Sequence, residues 1–185
     1  MNLSDATGSL LLRAPGASQP LLERALKNGA REFCRKTWAW DHETVAEFRI
    51  GDRYGDLDLP ADTIACGVIR CLDPSRGVGI GIYRGKSLAV AREYISDVSI
   101  GVVVALTPSE GAADIPDWLW DEHGEAMLDF ATHELLMMHT KPWVNEAMAA
   151  EFYRSFLDQV NDTKRALNTR HANGRPMMNR ARMGV

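Results

Sequence analysis

Between residues 19 and 37 the apolar side chains return every three or four positions. Leu22, Leu26, Ala30 and Phe33 make one stripe, which predicts a helix. Ser18 stands ahead of it as a cap, and Pro20 sits in the first turn, where its missing N–H is not needed. Arg24, Arg31 and Arg35 fall largely off the stripe and read as a solvated or intersubunit face. After Thr37 the period drops to two, because Trp38 and Trp40 share a side only if the chain is extended there. Phe33, Trp38 and Trp40 are therefore expected at a helix-to-strand junction, with the two indoles packed across it.

Alternation continues through residues 44–106. Ala46, Phe48 and Ile50 form one alternating set, followed by Ile64, Cys66 and Val68, then Val78, Ile80 and Ile82. Val98, Ile100, Val102, Val104 and Leu106 form the longest. Turn signals ("GDRYGD", Asp73-Pro74, "YRGKS") separate them, which predicts a small antiparallel sheet or sandwich. Pro108, Gly111 and Pro116 close this module. Helical spacing then resumes with Met127, Phe130, Ala131, Leu135 and Met138, in a helix expected over about 117–140 from a cap at Asp117. Pro142 stops it. Asn145 caps a last helix, about 145–169, carrying Met148, Phe152, Phe156, Val160 and Leu167. The short connection predicts an antiparallel hairpin. Residues 1–18, with Gly8, Pro15, Gly16 and Ser18, read as a flexible lead, and 171–185 as an extended tail. The expected fold is α+β: an antiparallel helical bundle with an inserted antiparallel β module, one domain over 19–170.

Composition adds one strong asymmetry. The 185 residues are 45% hydrophobic, enough for one domain with a real core. The net charge is −4, yet Thr163–Val185 holds six basic residues and no acid, so the remainder carries −10. The stretch "RHANGRPMMNRARM" alternates arginine with methionine. Arginine grips carboxylates in a bidentate fork and methionine adapts to irregular apolar pockets. Such a segment is expected to order on docking to an acidic, grooved protein. A nucleic-acid role is the competing reading, weakened by the lack of aromatic residues for base stacking. Cys34, Cys66 and Cys71 are odd in number and lack metal-ligand spacing, which points to a reducing compartment. No signal peptide and no membrane span are expected.

Catalytic patterns are incomplete. "HELLM" at 133–137 has Met137 where a zincin needs its second histidine. His123, His133 and Glu134 are the residues a metal-dependent hydrolase would use, the least favoured alternative. "GVGIG" at 77–81 misplaces the third glycine of a dinucleotide loop and reads as a tight strand. No cofactor, metal or enzymatic activity is expected.

Four segments in order carry a resemblance: "AREFCRKTWAW", "LDLP", "VSIGVVVALTPSEGAADIPDWLWDEHGEAMLDFA" and "KPWVNEAMAAEFYRSFLDQVNDTKRA". Together they resemble the head-to-tail adaptor (connector) proteins of tailed bacteriophages, including the tail tubular protein A-like members, over most of residues 19–170. The resemblance implies a ring of copies, commonly twelve, beneath the portal at the head–tail junction of the virion, made in the host cytoplasm. It implies a C-terminal segment docked on the portal protein, carried here by Lys164, Arg165, Arg170, His171, Arg175, Met177, Met178, Arg180, Arg182 and Met183. The opposite end would receive the tail tube or nozzle, with Arg76, Arg84 and Lys86 on the candidate loops 73–77 and 84–87. Double-stranded DNA would pass through such a ring without being gripped, since an acidic wall neutralises no phosphates.

Overall fold

A computed structural model of the chain describes residues 1–72, 79–91 and 93–172. Its helices are α1 (Leu3–Arg13), α2 (Gln19–Thr37), α3 (Asp117–Leu136) and α4 (Glu146–Ala172). Between α2 and α3 lie β1 (Asp41–Phe48), β2 (Tyr54–Leu57), β3 (Thr63–Cys71), β4 (Ile80–Tyr83), β5 (Ser87–Val90) and β6 (Val98–Pro108). The fold is α+β, with the strands inserted into the helical part as one module.

Helix α2 packs antiparallel on α3. Asn28 reaches Glu134, and the Phe33 ring lies 4.7 Å from that of His123. The helices meet closely at Gly29, where a Cβ would sit 2.3 Å from the Met127 carbonyl oxygen. Helix α4 folds back along α3, pairing Ser155 with Asp129 and Ala149 with His133. Leu22, Leu26, Phe33, Met127, Leu135 and Phe156 are fully buried between them. Each such side chain contributes about 1.5–3 kcal/mol by leaving water. Since α3 opposes both neighbours, α4 runs parallel to α2. The far end of α4 therefore leaves the bundle on the side where the strands are attached.

The first eighteen residues are not a loose lead. Leu3, Ala6, Thr7 and Leu10 recur at helical spacing and are buried on α2 and α3. The Asn2 side chain caps this helix by accepting the Ser4 N–H at 2.9 Å. Backbone bonds tie the start of the chain to the segment before α3: Leu3 N–H to the Ala113 carbonyl, and Ile115 N–H to that of Met1. Gly8 does not break the helix because it faces open space, while Pro15 and Gly16 (φ +88°) only make the turn to α2.

The six strands form one sheet in the order β3-β6-β1-β2-β5-β4, every neighbour antiparallel. The Ala65 N–H donates to the Gly85 carbonyl at 2.8 Å, bringing β3 against the β4–β5 hairpin and curling the sheet into a barrel-like shape. Ala46, Phe48, Leu88, Ile100, Val102, Val104 and Leu106 fill its interior. On β6 the other face is buried as well, at Val103, Ala105 and Thr107, because α2 lies against it.

Several expected boundaries move. Strand β1 begins at Asp41 and stops at Phe48, leaving Ile50 exposed. On β3, Thr63 and Ala65 are buried where Ile64 and Cys66 were expected to be. Register shifts between Ala65 and Gly67 and between Val68 and Arg70 reset which face points inward. Helix α3 ends at Leu136, and Met138 packs on the core from the turn that follows. Helix α4 continues to Ala172, past the expected 169. The tail from 173 onward lies outside the described residues.

Candidate assembly surfaces

The junction of the two parts is built from the stretch Phe33–Trp40. Trp38 closes α2 in the left-handed conformation (φ 60°), its N–H donating to the Cys34 carbonyl at 2.8 Å. It is thus not extended, which corrects the expected start of alternation. Its indole lies on Gly67 of β3, where a Cβ would stand 2.5 Å from the ring. Trp40 packs against both the helical core and the barrel core, and its carbonyl accepts the Leu106 N–H at 2.7 Å. The two indoles do span the junction. Cys34 beneath them is buried, and burial pushes its thiol far above the usual range. Cys66 is raised to about 11 by burial, with Arg35 pulling the other way. Both thiols stay protonated at neutral pH, the state of packing residues rather than nucleophiles.

A polar cluster that the sequence did not suggest joins α1 to the α3–α4 hairpin. Asp129 is buried, and Arg13 donates from one guanidinium nitrogen to its carboxylate at 3.2 Å and to Thr132 at 3.1 Å. Ser155 and Gln159 donate to the other carboxylate oxygen at 2.6 and 3.0 Å. The guanidinium also lies 4.8 Å above the Phe152 ring centre. A buried carboxylate requires this saturation of its lone pairs.

His123, His133 and Glu134 are directed at three different neighbours. His123 stacks on Phe33, and His133 meets the Ala149 carbonyl at 3.0 Å and stacks on Tyr153. Glu134 accepts from Asn28 at 2.8 and 3.0 Å, and burial raises its pKa, with the Asn28 bond, Arg24 and His133 opposing. Among the described residues, no three His, Cys, Asp or Glu side chains are grouped to hold a metal ion.

Of the two loops picked as tail-facing, only 84–87 lies among the described residues. Arg84 and Lys86 sit on the exposed β4–β5 turn, whose Gly85 touches β3 at Ile64 and Ala65, on the side toward the helices. Arg76 lies outside the described residues. The tip of the barrel away from the helices carries Ile50 (69% exposed) and Ile95 (96% exposed). Their loops are fastened together by Ile50 N–H to Asp97 and Gly51 N–H to the Tyr94 carbonyl.

Of the residues expected to meet the portal, Lys164 is half-buried on α4 and Arg165 is exposed beside Asp162 at 3.1 Å. Arg170 and His171 fall in the last turn of α4. Arg175, Met177, Met178, Arg180, Arg182 and Met183 lie outside the described residues.

Two faces of opposite charge remain open. On α2, Arg24, Lys27, Arg31 and Arg35 follow one another at intervals of three and four, opposite the buried stripe. Lys27 donates to the Glu110 carbonyl at 2.9 Å, while Arg24 and Arg35 are exposed with no hydrogen bond or ion pair among the described residues. On the outer face of β1 and β2 an open groove of about 1180 Å³ is lined by Glu43, Glu47, Asp52, Asp56, Asp58 and Asp97. Arg49 and His42 are its basic residues. Among the described residues no helix is long and apolar enough to cross a membrane. No protein-family model and no curated protein sequence matches the chain.

Proposed function

We propose that this chain is a structural adaptor of a tailed bacteriophage, one subunit of a ring that extends the portal channel and gives the tail its docking platform. The observation that carries this reading is where the resembling segments fall in the fold. "AREFCRKTWAW" is the crossing from bundle to barrel, "ALTPSEGAADIPDWL" is the crossing back, and "KPW" precedes α4. These joints define a two-part subunit, and the adaptor resemblance rests on the same joints. The α+β bundle with an inserted antiparallel module is also the arrangement that the resemblance implies.

In this reading the basic end of α4 and the residues after it attach to the portal. Residues 173–185 can span at most about 45 Å, so the docking point need not lie at the helix end itself. The tail side is assigned to the far tip of the barrel, with Ile50 and Ile95. Arg84 and Lys86, on the exposed β4–β5 turn, are the second candidate for the tail contact. The acidic body repels the DNA backbone and leaves it free to slide.

The test is deletion of residues 173–185. The expected result is an unchanged unfolding midpoint with loss of binding to the cognate portal, followed by images of the full chain as a ring between portal and tail. A truncated chain that still binds the portal, or particles with the chain elsewhere, would overturn the proposal. If deletion instead abolished a steeply salt-dependent DNA affinity, the nucleic-acid reading would replace it.

A further inference from the structure

We infer that the basic face of α2 in one copy docks into the acidic β1–β2 groove of a second copy, making the contact between neighbours head-to-tail. This rests on the ring reading above and supplies its interface. The helix face is basic along its length: Arg24 and Arg35 are exposed at its two ends, Lys27 and Arg31 between them lean on Glu110, and the four span eleven steps, about 16 Å along the axis. The groove is of the other sign. Glu43 and Glu47 are four residues apart on β1, about 14 Å, and Asp52 and Asp97 prolong the row at its far end. Lengths and charges therefore match.

The isolated subunit also bears a cost that a cationic neighbour would relieve. Glu47 and Asp56 are direct cross-strand partners on the exposed face of β1 and β2. Like charges so placed repel, and sheets disfavour them. Arg49 and His42 are the only basic residues among the groove's lining. A second copy brings the exposed Arg24 and Arg35, with Lys27 and Arg31 between them, on a rigid helix. A contact between two different faces of the same chain is heterologous, the type that closes into a ring when the rotation allows.

The experiment uses the full chain. Equal amounts of unlabelled and isotope-labelled protein are treated with a zero-length carbodiimide at low ionic strength, and labelled-to-unlabelled cross-links are mapped by mass spectrometry. The expected product joins Lys27 to the carboxylates of β1 and β2. In parallel, sedimentation velocity follows Arg24→Glu/Arg35→Glu and Glu43→Lys/Glu47→Lys. All four positions are exposed, so the fold should persist, checked by far-ultraviolet circular dichroism. Each variant alone should lose at least about tenfold in self-association, and an equal mixture of the two should regain it. The mixture succeeds only if the two faces meet each other.

Cross-links through Lys164 of the basic C-terminal region, no intermolecular cross-link, or a mixture no better than its parts would overturn the inference. Rings on a portal joined through other faces would remove this contact and keep the adaptor reading. Association through these faces by a chain that never binds a portal would do the reverse.

Discussion

Arg13 and Asp129 are 116 residues apart in the chain, and their side chains meet at 3.2 Å. The arginine ends the first helix, while the aspartate lies in the middle of α3 with donors from α4 on its other side. Three helices are thus fastened at one carboxylate. Arg13→Ala leaves that buried charge without its cation. The expected loss is about 2–3 kcal/mol, below the 3–5 typical of a fully buried pair because the arginine keeps partial contact with water. Urea unfolding of Arg13→Ala, Asp129→Asn and the double variant measures the coupling. A loss under about 0.5 kcal/mol for Arg13→Ala would show that Ser155 and Gln159 suffice.

Two glycines in helices should respond in opposite directions. Gly29→Ala drives a methyl group into the Met127 backbone, which cannot yield without moving α3. The expected cost is about 3 kcal/mol or more. Gly8→Ala meets nothing within 4 Å and should stabilise α1 by about 0.5–1 kcal/mol. Thermal unfolding of both variants checks the pair, and a neutral Gly29→Ala would mean the bundle packs less closely than described.

The bundle and the long strand were legible because their apolar periods are clean. Leu22 through Phe33 on α2 and Ile100 through Leu106 on β6 repeat at 3.6 and 2 without interruption. Helix α1 carries the same kind of signal, Asn2 as cap and then Leu3, Ala6, Thr7 and Leu10, but only two of those four inward positions are large and apolar. Gly8, Pro15 and Gly16 outweighed them on propensity. On β3 the bulges change the inward face partway along, and no single-strand pattern encodes a register shift. Asp129 read as part of an exposed or intersubunit helix face. Its burial was invisible for another reason: a buried acid is recognised by its donors, and these come from Arg13, Ser155 and Gln159, far away in sequence. The charge stripe of α2 was readable, whereas the acidic groove needs β1 and β2 paired before it exists.

Trp40 touches both cores, so its loss should uncouple them. Trp40→Ala is expected to cost about 3–4 kcal/mol. It should also separate the unfolding of helices from that of strands, so that far-ultraviolet circular dichroism and tryptophan fluorescence no longer give one midpoint. Coincident transitions in the variant would show that Trp38 on Gly67 and α2 on β6 hold the two parts together unaided.

Glu134 offers a pH test with a definite sign. Burial raises its folded-state pKa above the ordinary 4.5, against the opposing Asn28 bond, Arg24 and His133. Between the ordinary and the raised value the folded chain holds more protons than the unfolded one, so stability falls as pH rises through that window. Above it the buried charge is a standing penalty, and below 4.5 the penalty has gone. Glu134→Gln keeps an oxygen for Asn28 and removes the charge. The variant should therefore unfold at higher urea than the parent at neutral pH, and the gap should close as pH falls toward the ordinary value. Because other carboxylates titrate in both proteins, only the difference between the two curves is read. A variant weaker than the parent at neutral pH would reverse the assignment: the bonds from Asn28 and the nearby cations would then outweigh the burial of the charge.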